Sequence, residues 1–142
     1  MNSTVKVCFV CLGNICRSPL AQGVFEALVK EEGLQDRIII SSAGVSAWHV
    51  GNPPDGRMQQ TARDHGILLN SQARQFQSSD FEQMDLVLAM DHSNLSALKQ
   101  MSTEPELQGK LFLFRSFDPQ HNNDLEVPDH YYGGDKGFET VY

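Results

Sequence analysis

The chain has 142 residues, a net charge of −7 and 40% apolar residues. That length suits one domain around one core, and that charge excludes the basic face needed to hold nucleic acid or an anionic membrane. Its three cysteines, at positions 8, 11 and 16, stand too close together to staple the whole chain with disulfides.

The opening MNSTVKVCFV has no basic start, long apolar run or small-residue cleavage site, so no signal peptide is expected. No stretch reaches about 18 apolar residues, the length of a spanning helix. A reduced, cytoplasmic protein is the natural expectation.

In chain order, residues 6–10 read as a buried strand, followed by a tight loop over 11–18 and a helix opened by Pro19. Proline suits the first helical position because its φ is already helical and its missing N–H is not needed there. Helix 19–32 has apolar residues at Leu20, Val24, Ala27 and Leu28 and stops at Gly33. A β-branched run over 37–43 gives a second strand, and a loop with Trp48, Gly51, Pro53 and Pro54 leads to a helix over 55–65, closed by Gly66. Residues 78–83 read as a helical turn and 85–90 as a third strand. Asp91 caps a helix over 93–101, residues 110–114 form a fourth strand, and 117–135 form a long polar loop.

Strands alternating with helices predict a parallel sheet with right-handed crossovers. The expected fold is a flavodoxin-like three-layer α/β/α sandwich in one domain, with a four-stranded sheet of order 2-1-3-4. Ligands in such sheets bind beyond the carboxyl ends of the strands, which brings the loops around Cys11, Trp48, Asp91 and Asp129 to one edge.

The stretch Cys11–Ser18, CLGNICRS, carries the chemistry. A loop between a strand and a helix N-terminus gathers unpaired N–H groups and the positive end of the helix dipole around a bound oxyanion. Gly13 and Asn14 tolerate the left-handed turns that such an anion nest needs. Residues Leu12, Gly13, Asn14, Ile15, Cys16 and Arg17 would line it. The same field favours an anionic, nucleophilic sulfur on Cys11, and Arg17 offers a planar fork for two phosphate oxygens. Cys16 adds a second thiol beside the nucleophile; a reversible disulfide with Cys11 and simple packing are both open readings. Cys8, on the strand, reads as a small buried hydrophobe. His49, His92 and His130 read as solvated, and no spacing suggests a metal, so neither metal nor cofactor is expected.

CLGNICRS resembles the phosphate-binding loop of the low-molecular-weight protein tyrosine phosphatases, and SAWHVG, HGI, ARQF, MDHSNL, DHYYGG and GFETVY extend the resemblance over most of the chain. The resemblance implies that Cys11 forms a phosphocysteine, that Arg17 clamps the transition state, and that Ser18 hydrogen-bonds the sulfur. It further implies that Asn14 and Ser42 hold the loop geometry, that Asp129 is the general acid, and that Trp48, Tyr131 and Tyr132 wall the cleft. Two positions depart from the family pattern: Pro128 precedes Asp129 and His130 follows it, where Asp-Pro is usual, and Ser71 stands where a His is frequent. Similar proteins also continue as a helix past FETVY, so that final helix is barely begun here.

The implied partners are phosphotyrosine-containing proteins, with phosphate and other oxyanions as product or inhibitors, and a monomer or weak dimer is expected. Two further function classes use such a loop. An arsenate reductase would need more cysteines downstream, and none follows Cys16. A noncatalytic phosphate-binding or phospho-carrier module would need neither Asp129 nor the tyrosines.

Overall fold

The computed structural model describes residues 4–14, 17–46, 50–101 and 109–114. Its strands are β1 (Val5–Cys11), β2 (Ile38–Gly44), β3 (Leu86–Ala89) and β4 (Leu111–Leu113). Its helices are α1 (Arg17–Glu31), α2 (Gly56–Asp64), α3 (Asp80–Gln83) and α4 (His92–Met101). The strands form one sheet of order β2-β1-β3-β4, parallel at every pairing. This is the expected α/β topology.

Strand β1 is central and buried on both faces from Val7 to Cys11, which is why it reads as an unbroken apolar run rather than an alternation. On one face Val7, Phe9 and Cys11 join Leu88 and Met90 beneath Ala21 and Phe25 of α1. Phe9 meets the edges of Phe25 and Phe114 at centroid distances of 5.7 and 5.1 Å, a favourable quadrupolar arrangement. On the other face Cys8, Val10, Val87, Ala89, Leu111 and Leu113 pack with Phe76, Phe81 of α3 and Leu98 of α4. A third cluster, Leu20, Met58, Ala62, Leu69 and Ala73, seats α2 against α1.

Helix α1 begins at Arg17, two residues before the expected start. Pro19 is therefore the third helical residue, which the backbone accepts because no N–H in the first turn has a partner four residues back. The earlier start matters for the site, because it places Arg17 and Ser18 on a helix rather than in a free loop. Asp55 caps α2 by accepting from the N–H groups of Arg57 and Met58, and Gly66 follows that helix at φ +80°. The expected polar loop over 117–135 lies outside the described residues. Among the described residues no helix is long and apolar enough to cross a membrane.

Candidate active site

Cys11 ends β1, where the sheet opens toward the N-terminus of α1. Its partner on β2 is Gly44, and two further bonds, from Val45 N–H to Cys11 O at 3.0 Å and from Ser46 N–H to Leu12 O at 2.9 Å, carry the pairing on into the loop. The approach is close enough to need a glycine. A Cβ on Gly44 would stand 2.8 Å from Leu12 O, 3.0 Å from the Gly13 carbonyl carbon and 3.1 Å from Asn14 N, all backbone atoms that have no rotamer to yield. Gly44→Ala should therefore displace the loop, with a cost of about 1–3 kcal/mol for the forced contact and a fall in kcat. Thermal unfolding together with aryl phosphate turnover would check it, and an unchanged kcat would show that the loop does not need this contact.

The sulfur of Cys11 is buried and doubly engaged. Ser18 Oγ lies 3.0 Å away, and the N–H of Asn14 donates to Sγ at 3.3 Å. Asn14 has φ +59°, the left-handed turn for which asparagine is suited. Its amide is fixed at both ends, with Nδ2 donating to Ser18 Oγ at 2.8 Å and Oδ1 accepting the N–H of Arg74 at 3.0 Å. Arg17 is only 4% exposed, and its NH1 meets Asp91 Oδ2 at 2.7 Å. The other oxygen of Asp91 accepts the N–H of Asn94 at 2.7 Å, so the expected α4 cap also aligns the guanidinium. This second duty was not legible, since capping alone accounts for an aspartate at that point.

Ser42 is buried and bonds Gln22 Oε1 of α1 at 2.5 Å, so its described hydrogen bond braces β2 against α1 rather than touching Asn14. Leu12 is 52% exposed at the mouth of the loop. Two residues that sequence reasoning did not single out, Gly44 and Arg74, are among the loop's nearest supports. Ile15, Cys16, Trp48, Asp129, Tyr131 and Tyr132 lie outside the described residues.

Cys8 differs sharply from Cys11. It is fully buried, and burial pushes its thiol up to about 11, an effect that outweighs the nearby Arg74 guanidinium at 3.7 Å. It remains a neutral thiol at ordinary pH, as its place in the core suggests.

A strand, a glycine- and asparagine-bearing turn with a buried cysteine, and an arginine on the following helix thus converge at one sheet edge. The model of the low molecular weight phosphotyrosine protein phosphatase family matches residues 6–142. The chain belongs to that family. Membership classes it with the protein-tyrosine phosphatases, and so with the hydrolases. It is 47% identical to the low molecular weight protein-tyrosine-phosphatase of Streptomyces coelicolor over 137 residues, covering 96% of this chain and 84% of that one. It is likewise 47% identical to the low molecular weight phosphotyrosine protein phosphatase of Gallus gallus, covering 96% of this chain and 86% of that one. Among solved structures it is similar to the protein tyrosine phosphatase of Entamoeba histolytica with Hepes in the active site, at a TM-score of 0.92 and 38% identity, covering 97% of this chain and 87% of that one.

Proposed function

We propose that this phosphatase hydrolyses phosphotyrosine in proteins, and small aryl phosphates, through a phosphocysteine on Cys11. The observation that carries this reading is the buried Cys11 sulfur, bonded by Ser18 and by the N–H of Asn14 at the foot of α1. In a chain of net charge −7 the attraction for a phosphate dianion must be generated locally. Arg17 and the N-terminus of a 15-residue helix supply it.

Phosphoryl transfer asks the protein chiefly for alignment and electrostatic stabilisation. In the proposed first step Sγ of Cys11 attacks phosphorus while the aryl oxygen departs in line and takes a proton from Asp129. In the second, Asp129 accepts a proton from water as that water attacks the phosphocysteine, releasing phosphate and the thiolate. Arg17 forks two of the equatorial oxygens, held in aim by Asp91. Ser18 O–H steadies the sulfur when it carries charge, at the start and end of the cycle. Leu12, Gly13, Asn14, Ile15 and Cys16 complete the cradle, while Trp48, Tyr131 and Tyr132 wall the cleft around the aromatic ring. The free partner at the end of each cycle is inorganic phosphate.

Acid-quenched single turnovers test this reading. Phosphate should be recovered on the Cys11 peptide, and Asp129→Asn should slow its formation from phenyl phosphate by about two orders of magnitude, the usual size of acid catalysis. The same step with p-nitrophenyl phosphate should slow far less, because a weakly basic phenolate leaves without a proton. Equal slowing for the two leaving groups would remove Asp129 from the acid role, and phosphate found on any residue other than Cys11 would end the phosphocysteine mechanism.

A further inference from the structure

The hydrogen bonds around Asn14 have a direction, and residue 74 sets it. Ser18 has one hydroxyl proton and three neighbours in reach: Cys11 Sγ at 3.0 Å, Asn14 at 2.8 Å and Ala43 O at 3.4 Å. An asparagine amide can present either its oxygen or its NH2 to a serine, so the Ser18–Asn14 contact by itself leaves that proton undirected. The backbone N–H of Arg74, 3.0 Å from Oδ1, can only donate. It turns the amide oxygen toward residue 74 and the NH2 toward Ser18. A lone pair of Oγ is then occupied by Asn14, so the hydroxyl proton can no longer go to the amide and is shared between the sulfur at 3.0 Å and the more distant Ala43 carbonyl at 3.4 Å.

Residue 74 is itself pinned from several sides. Its carbonyl accepts the N–H of Gly44 at 2.8 Å, and the Gly44 carbonyl accepts the N–H of Phe76 at 2.7 Å. Its guanidinium reaches Asp80 Oδ2 at 3.1 Å and Cys8 Sγ at 3.7 Å. The same oxygen of Asp80 accepts the N–H of Gln77 at 2.7 Å, closing a ring across the turn from 74 to 80.

We propose that Arg74 is a positioning residue whose backbone N–H, held in place by the Asp80 clamp, polarises the chain Arg74 to Asn14 to Ser18 to Cys11 so that Ser18 donates to the sulfur. The proposal rests on the reading of Cys11 as the nucleophile. Arg74 touches no reacting atom; it acts through Asn14 and Ser18. Once that N–H is deleted, or drawn away from Oδ1 when the clamp is cut, the amide can invert, Ser18 donates into Asn14 Oδ1, and the sulfur loses a donor.

The test is a double-mutant cycle read by alkylation of Cys11 with iodoacetate, mapped by mass spectrometry, beside kcat and KM. Asp80→Ala cuts the clamp and Arg74→Pro deletes the N–H itself, each made in the parent and in a Ser18→Ala background. In the parent either change should slow Cys11 alkylation at pH 6 about tenfold, the worth of one hydrogen bond to a charged group, and lower kcat more than it raises KM. In the Ser18→Ala background neither should slow alkylation further. Should Arg74→Pro fail to fold by circular dichroism, Asp80→Ala decides alone. Equal slowing in both backgrounds, or no slowing in the parent, overturns the proposal. Failure of the underlying reading has a different signature, because it would appear as turnover by a Cys11→Ser enzyme whatever the alkylation rates.

Discussion

Cys11→Ser is expected to lower aryl phosphate turnover by more than about four orders of magnitude, the scale seen when a covalent nucleophile is lost, while leaving the fold and oxyanion binding in place. The substitution exchanges sulfur for a smaller oxygen at a buried position whose neighbours, Ser18 Oγ and the N–H of Asn14, can bond either atom. Among the described residues a serine hydroxyl in this site has no base beside it. Its described neighbours are a hydroxyl and an N–H, and a hydroxyl without a base is a poor nucleophile at neutral pH. Arg17 and its Asp91 partner remain to draw in phosphate. The measurement is kcat beside the dissociation constant of inorganic phosphate. Loss of both together would mean that the sulfur organises the cradle rather than attacking, and retained kcat would remove Cys11 from the mechanism.

The residues that carry this expectation were legible because their signals are local. A seven-residue strand with five buried positions in succession reads as the centre of a parallel sheet from its apolar run alone. Gly13 and Asn14 mark a turn that tolerates a left-handed backbone, and Asn14 alone of the two has a positive φ. The start of α1 was less exact, because Pro19 satisfies any position of a first turn and so marks the turn rather than its first residue.

What stayed hidden depends on partners far along the chain. Asp91 carries a plain capping pattern, but its second oxygen finds Arg17 across 74 positions. The N–H of Arg74 meets Asn14 across 60 positions, and a backbone donor leaves no mark in residue type. Gly44 ends β2 and reads as a simple strand terminus until the loop backbone is set against it at 2.8 Å. Ser42 shows the converse. Its role was expected at the loop, and its described bond runs to Gln22, a helix residue whose facing direction is set by the packing of α1 on the sheet.

Arg17→Lys is the second change expected to have a very large effect, a fall in kcat of about three orders of magnitude, at the lower end of what an arginine contributes to phosphoryl transfer. Lysine is the informative substitution because it keeps the charge and removes the fork. Arg17 is almost fully buried against Asp91, with side-chain exposures of 3% and 18%. Deleting the cation altogether would leave a largely buried carboxylate unpaired and confuse catalysis with stability. A lysine ammonium can hold Asp91 or reach toward the phosphate, but a single point charge cannot bond two equatorial oxygens in a plane while one NH of the same group stays on Asp91. The loss should therefore fall on the transition state, where charge spreads over those oxygens, and much less on the ground state. In numbers that means a collapse of kcat with KM changed by less than about tenfold, since interactions made only in the transition state appear in kcat. Vanadate, which becomes five-coordinate when the Cys11 sulfur adds to it, should lose affinity far more than phosphate does. If KM rises as steeply as kcat falls, or vanadate and phosphate weaken equally, Arg17 serves only to attract the dianion, and stabilisation of the equatorial oxygens must be assigned to the loop N–H groups and the α1 N-terminus instead.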